Sequence, residues 1–427
     1  MDRSISRRSF CLAGLGALLT PWLASRAHSA GENMGHWNLP GPTPHLIAHC
    51  VPWFSVRESA TDPTLTWRHW KGDYGPAKHD PNNRRPDGLR DIASIYYPLI
   101  GPYSQWSPNV IRYHLATAKA AGIQGFFLDW NGQGDFTDLR VAQFLDEADR
   151  LGMKIGICYE EKITFDWRQP KTRDEALKLI ESDLQYIQRR YMGHPAYLRR
   201  NGLPFLFQFN GWGEGPLGHK YLTPQEYVQV LATLPQPIVV GRQGLDPAYS
   251  TSAACRYLWF TFNPHELLSF GPDARRMVDK GQMQFFMHMM SPGFNDTGVW
   301  GWGGGPRVID RKGLSLLRST FDHAFDNGPE LIQIVTWNDF NEGTCIEPTR
   351  ENGFQYLDAI ATWWADRKGG KTDLDAIRRP FLDYVHHCEP AQKAELPTDI
   401  DAYLAKRSLA VELPHYLEQL AAKKPNG

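Results

Sequence analysis

No charge of one sign dominates this 427-residue chain: 46 Lys and Arg stand against 47 Asp and Glu, a formal net charge of −1. Bulk electrostatics therefore offers no attraction to nucleic acid or to an anionic membrane. No H-E-x-x-H, no cysteine cluster and no G-x-S-x-G occurs anywhere in it. His45 and His49 would lie ~13 Å apart along a strand, too far to share one ion, and His386-His387 has no evident third ligand. Metal catalysis and Ser-His-Asp chemistry are thus weakly supported, and no cofactor is expected. No strand-like run leads into a Gly-rich phosphate turn. "GWGGGP" (301–306) is Gly-rich, yet no helix opens at once behind it, so it reads as a loop. Cysteine is sparse as well. Beyond Cys11 near the N-terminus there are Cys50, Cys158, Cys255, Cys345 and Cys388, an odd and widely spaced set that predicts buried free thiols and no disulfide framework.

What is present begins with "SRRSFCLAGLGALLTPWLASRAHSA". Arg7-Arg8, a Gly/Ala/Leu-rich stretch and small residues near Ala27 and Ala30 have the layout of a cleavable twin-arginine export signal. Its apolar stretch is broken by Pro21 and falls short of the ~20 residues of a membrane span. Residues 1–30 are therefore set outside the fold, and a periplasmic or secreted protein with no membrane attachment is expected. Aromatics are plentiful: Trp 15, Tyr 17 and Phe 21 together make 12% of the chain. They suit a large core, and they also suit a surface that stacks on sugar rings.

Short apolar runs then alternate with helical patterns, the mark of βα units around a parallel sheet. The runs read as strands are "LIAHCVPW", "GFFLDW", "KIGICYEE", "PFLFQF", "PIVVG", "YLWFTF", "QFFMHMM" and "LIQIVTW". Helices are expected over "VIRYHLATAKAA", entered by Ser107-Pro108 and closed by Gly122, and over four further stretches. Those four are "FTDLRVAQFLDEADRLG", "RDEALKLIESDLQYIQRRY", "TPQEYVQVLATL" and "RKGLSLLRSTFDHAFDNG". About eight such strands separated by helices predict an α/β fold, a (β/α)8 TIM barrel with long βα loops over 31–368. Residues 56–106 form a long polar excursion, and loops of that length are uncommon unless functional. From 369 to 427 the chain turns charged and helical, read as a C-terminal extension packed on the barrel.

In such barrels the chemistry sits where strands end and βα loops begin. Period-two alternation, with the apolar set assigned to the helices, sends Asp129, Glu160, Gln333, Val335, Trp337 and Asp339 inward. The same rule places His49, Gln208, Asn210, Asn263 and His288 inward. Several carboxylates converging on one mouth would repel each other, and such an arrangement points to chemistry rather than support.

"VTWNDFNEGTCIEPT" (335–349) resembles the N-[DE]-x-x-E-[GS] signature of glycoside hydrolase families 71 and 99 and of the bacterial 71/99-like proteins between them. "YYPLIGPYSQWSPNVIRYHLATAKAAGIQGFFLDW" (96–130), "CYEE" (158–161) and "SPGFNDTG" (291–298) are similar to that group as well, and the likeness spans roughly residues 45 to 365. The resemblance implies a glycosidase on α-linked polysaccharide or oligosaccharide, α-1,3-glucan in family 71 and α-mannoside in family 99. It also implies that the signature acids, here Asp339 and Glu342, are catalytic. Asp at the first position follows family 71, whereas "EGTCIEP" is closer to family 99, so linkage and stereochemistry both stay open. The chemistry agrees from below, since glycoside cleavage needs one protonated carboxyl and one ionised partner. Glu342, with the longer reach, is expected to be the acid and Asp339 the base, with Trp337 and Phe340 as a dry wall. Asp129 and Glu160 are expected to meet sugar hydroxyls. Tyr97, Tyr103, Trp130, Trp337 and Asn338 complete the expected substrate contacts of a monomeric enzyme. The alternative is a carbohydrate-binding barrel that keeps the cleft without turnover.

Overall fold

The computed structural model describes residues 35–211, 213–406, 413 and 415–423; the export segment expected at 1–30 lies outside them. Eight parallel strands close into a barrel. They are β1 (His45–Cys50), β2 (Gly125–Trp130), β3 (Lys154–Glu160), β4 (Leu203–Phe209), β5 (Val239–Gln243), β6 (Cys255–Tyr257), β7 (Phe285–Met290) and β8 (Leu331–Ile334). Each pairs with the next in sequence, and β8 returns to β1 in the register His45–Leu331 through Ala48–Ile334.

Helices α1 (Pro108–Ala120), α2 (Asp138–Leu151), α3 (Arg173–Arg190) and α4 (Pro224–Ala232) follow the first four strands. A 3-10 turn, Pro247–Tyr249, bridges β5 to β6. Then α5 (Pro264–Asp279), α6 (Ser315–Asp326) and α7 (Gln355–Lys368) follow the last three strands. Local chemistry explains several starts. Thr223 and Glu226 form a reciprocal capping box ahead of α4, and Thr172 accepts from the Glu175 N–H at α3. Ser107 occupies the cap of α1 before Pro108, although its side chain makes no cap bond.

Two apolar layers follow from strand alternation. Outside, Phe126, Leu128, Ile155, Ile157, Leu206, Ile332 and Ile334 pack under the helices. Inside, Ile47, Phe127, Cys158, Phe205, Phe207, Tyr257, Phe285, Met287 and Leu331 fill the barrel. Gly156 makes room for this filling: a Cβ there would meet the Phe127 ring at 2.8 Å.

Because both layers are apolar, assigning the apolar rows to the helices fails for two strands. Phe205 and Phe207 take the interior of β4, so Gln208 points outward to the Tyr227 hydroxyl on α4. Met287 takes the interior of β7, and His288 lies between Phe270 of α5 and His323 of α6 at ring distances of 5.5 and 5.3 Å. The run "YLWFTF" is not a strand beyond Tyr257. Asn263, expected inward, instead caps α5 by accepting from the His265 N–H at 3.1 Å. Asn210, just past β4, is half-buried and donates to the Gln243 carbonyl at 3.1 Å.

The long excursion is tied down rather than free. Trp70 donates its indole N–H to the Tyr103 carbonyl at 2.9 Å, and His79 meets Asp91 at 2.6 Å. Beyond α7, a helix α8 (Arg379–His387) buries Phe381 and Tyr384, with Tyr384 5.4 Å from Tyr113 of α1. The five cysteines of the described residues are free and buried. No helix among those residues is long and apolar enough to cross a membrane.

Candidate active site

β8 ends at Ile334, and the following loop doubles back on itself. The Thr336 N–H bonds the Thr344 carbonyl at 3.1 Å, and the Glu347 N–H bonds the Trp337 carbonyl at 2.9 Å. Gly343 serves this return with φ +60°, pressed so closely that a Cβ would meet the Asn295 carbonyl oxygen at 2.5 Å. The loop raises two carboxyls. Asp339 has its own N–H bonded to the Thr336 hydroxyl at 2.9 Å, and its Oδ1 accepts from the Glu342 N–H at 2.9 Å. The two signature acids are thus fixed to each other through the backbone.

Asp129, at the end of β2, and Glu160, at the end of β3, face the same space. They share a hydrogen bond, and Asp129 Oδ2 has no partner among the described residues. Burial, then the neighbouring Glu160 charge, pushes the Asp129 carboxyl well above the usual range. Burial, then Glu342, does the same to Asp339, against the pull of the Glu342 and Asn341 N–H groups. Burial raises Glu160 and Glu342 as well. In Glu342 the rise is opposed by the Trp302 indole N–H, 3.2 Å away, and by the Arg307 guanidinium at 3.6 Å. Burial thus raises the proton affinity of all four carboxyls, and like charge adds to it at Asp129, Asp339 and Glu342. Depth separates the signature pair: Asp339 is 6% exposed, whereas the Glu342 side chain keeps 25%. Among the described residues no three or more His, Cys, Asp or Glu side chains are placed to hold one metal ion.

The other expected contacts lie elsewhere, and each has a physical reason. Trp337 turns outward against Phe126 and His114 at 5.4 and 5.9 Å, because alternation stops with β8 at Ile334. Val335 likewise packs with Phe286 and Met289, outside the barrel. Asn338 is fully buried and clasps both the N–H and the carbonyl of Val51 at 2.9 and 3.1 Å. Tyr103 donates to Glu347 at 2.8 Å, Tyr97 to Glu395 at 3.3 Å and Trp130 to Asp138 at 2.8 Å, all three with no exposed surface. Phe340, expected to wall the site, is fully buried against Phe54 and Trp70. All seven are buried against the protein's own side chains and loops.

Residues not anticipated stand at the mouth instead. Trp302 is 37% exposed beside Glu342. His69 stacks on Trp53 at 4.6 Å and meets Asn341 at 3.2 Å. Trp259 packs edge-on against His49 and Phe209 at 4.5 and 5.0 Å. Trp302 lies in the Gly-rich stretch 301–306, where the pattern of glycines masks an aromatic that bonds Glu342.

Residues 45–231 match glycosyl hydrolase family 99. Glycoprotein endo-alpha-1,2-mannosidase of Rattus norvegicus is 26% identical over 321 residues, 68% of this chain and 64% of the relative. A mutanase of Penicillium rubens is 23% identical over 295 residues, 67% of this chain and 59% of the relative. Along these stretches the chain is similar to glycoside hydrolases of the family 71/99 kind. Its fold is that of the solved GH99 endo-alpha-mannosidase of Bacteroides thetaiotaomicron, with a TM-score of 0.59 and 21% identity over 80% of this chain and 99% of that one. The chain spans 64% to 66% of the length of the first three curated relatives it matches.

Proposed function

We propose that this chain is a glycoside hydrolase of α-linked polysaccharide or oligosaccharide, with Asp339 and Glu342 as its proton-handling pair. The observation that supports this best is the gathering of Asp129, Glu160, Asp339 and Glu342 at one barrel mouth, each with raised proton affinity. Such a cluster holds a proton near neutrality for a leaving sugar oxygen and keeps an ionised partner beside it.

Reach, not proton affinity, separates the signature pair. Burial lifts both carboxyls, so proton affinity alone leaves either as donor. Reach favours Glu342, one-quarter exposed at the mouth, while Asp339 is sunk and held by the Glu342 N–H. We take reach as decisive. A carboxyl cannot deliver a proton to an atom it does not touch. In this reading Glu342 is the acid, Asp339 the base or nucleophilic partner, and Asp129 and Glu160 bind sugar hydroxyls. Trp302 offers a half-exposed apolar face beside the acid.

The relatives' names point to both an α-1,2-mannoside and the substrate of a mutanase. Release of reducing ends from a panel of α-mannans and α-glucans tests activity and substrate together. Release from at least one is expected. No release from any, with binding retained, would make the protein a carbohydrate-binding barrel.

The same reading places the protein outside the cytoplasm through the paired Arg7-Arg8. Replacing both with Lys should strand the unprocessed chain in the cytoplasm, as fractionation would show. Normal export of that variant would refute a twin-arginine route.

A further inference from the structure

The loop between β7 and α6 reaches across the mouth to Glu342, and it carries the motif "SPGFNDTG" (291–298). The Asn295 N–H bonds the Glu342 carbonyl at 2.8 Å, which docks this loop on the catalytic one. The next residue, Asp296, has a completely buried side chain. Its carboxylate accepts from the Arg307 backbone N–H at 2.6 Å and from the guanidinium Nε and an Nη at 2.7 Å. Arg307 thereby loses the freedom of a surface arginine, and its Nη2 comes to rest 3.6 Å from Glu342 Oε1. The same Oε1 takes the Trp302 indole N–H at 3.2 Å. A planar guanidinium clamped on one carboxylate and offered edgewise to a second is an orienting device, which a flexible lysine would not reproduce.

We propose that Arg307 is a positioning residue for the glycosidase chemistry, aimed by Asp296, which together with Trp302 fixes where the Glu342 carboxyl points and how firmly it keeps its proton. The inference rests on the reading of Glu342 as acid, and it adds the residue that poises that acid.

The charges facing Glu342 come from every side of the mouth. Asp339 stands on its own loop, Glu160 on β3 with Lys162 acting on it, and Asp296 lies beneath Arg307, the cation beside Glu342. Burial, and then the Asp296 and Glu160 carboxyls, drive the Glu342 proton affinity up. Arg307 and the indole N–H hold that rise in check, so the acid can both give and regain its proton in one cycle. Asp296 also moderates Arg307, because a guanidinium already paired at 2.7 Å projects only part of its field onward.

The test compares Arg307→Met, Arg307→Lys and Asp296→Asn in the full chain. Two readouts are taken: the titration of Glu342 by carboxyl-labelled NMR, assigned with Glu342→Gln, and the pH profile of kcat/KM on any α-glycoside that is turned over. In Arg307→Met the Glu342 midpoint, and with it the alkaline limb, should move up by about 0.5–1 pH unit, the scale of one partly screened charge. Arg307→Lys should bring the midpoint most of the way back while leaving kcat low, because charge is restored and orientation is not. Asp296→Asn frees the guanidinium for Glu342 and should move the midpoint the opposite way, down. A midpoint that stays put in Arg307→Met, or that moves the same way in Arg307→Met and Asp296→Asn, overturns the proposal. Arg307 is 45% exposed, so its two variants are expected to fold even where the buried Asp296 replacement does not. In that case the Met and Lys pair decides. The titration needs no substrate, so a parent protein without turnover would sink the glycosidase reading while this inference is still judged by NMR.

Discussion

Where the barrel strands begin, Trp37 closes the interior, with its ring 5.4 and 5.5 Å from Phe205 and Phe285. One acid is buried there, Glu330, and every contact balances it. Arg200 grips it with two bonds of 2.8 Å, and the Trp37 indole and Gly35 N–H groups add bonds of 2.9 and 3.0 Å. Where the strands finish, four acids share one space; Arg307, the cation beside Glu342, is already engaged by a fifth acid, Asp296, and Lys162 acts on Glu160. One end spends its polar groups on satisfying each other. The other keeps like charges close and unsatisfied. The contrast teaches that burial of a charged group is itself neutral information; pairing tells support from chemistry.

The largest way to break this contrast is to neutralise the signature acids. Asp339→Asn should lower turnover of natural glycan and of an activated aryl glycoside alike, by about 10³-fold or more. Glu342→Gln should lose about 10²–10⁴-fold on natural glycan, yet retain much more on the aryl substrate, whose leaving group departs unassisted. The opposite pattern across the two substrates would exchange the two roles.

Next comes the balanced end. Glu330→Ala leaves Arg200, 4% exposed, without its partner and should destabilise the fold by about 3–5 kcal/mol in denaturant titrations. A loss near zero would mean that water reaches Arg200 and that this end is not sealed.

Smallest, and opposite in sign, is neutralisation at the mouth. The folded Asp129 carboxyl has a raised proton affinity, so ionising it opposes folding. That penalty is absent below the unfolded value near pH 4 and grows as the pH climbs toward the folded value. Asp129→Asn should therefore stabilise the fold at pH 7 and leave it unchanged near pH 4. Destabilisation at both pH values would show that Asp129 is a structural acid.

The barrel was legible in the sequence because its strands are short apolar runs and because α1 and α4 open with proline behind Ser107 and Thr223. The same cap-and-proline signal stood at Asn263-Pro264 and went unread, since "YLWFTF" ahead of it looked like a strand reaching to that point. Side-chain direction was legible only where one face of a strand was less apolar than the other. In β2 that held, and Asp129 fell at the mouth. In β4 and β7 both faces are apolar, and alternation alone does not say which way Gln208 or His288 points. Asp339 and Glu342 came from spacing and resemblance, while Trp337 and Asn338 between them point away, because a loop that doubles back has no period to extrapolate. Arg307 and Asp296 pair across eleven positions of irregular loop, a separation that composition cannot announce.

Asn341, between the two signature acids in sequence, donates through one amide to the carbonyls of His69 and Ala93, both at 2.9 Å, and Ser94 reaches the Phe340 carbonyl at 2.8 Å. The acidic loop and the excursion over 56–106 are in this sense one part made from two distant stretches of chain. Anyone transplanting the site into another barrel, or exchanging specificity with a relative, must move both stretches together. A graft of the acidic loop alone would arrive with its fasteners cut.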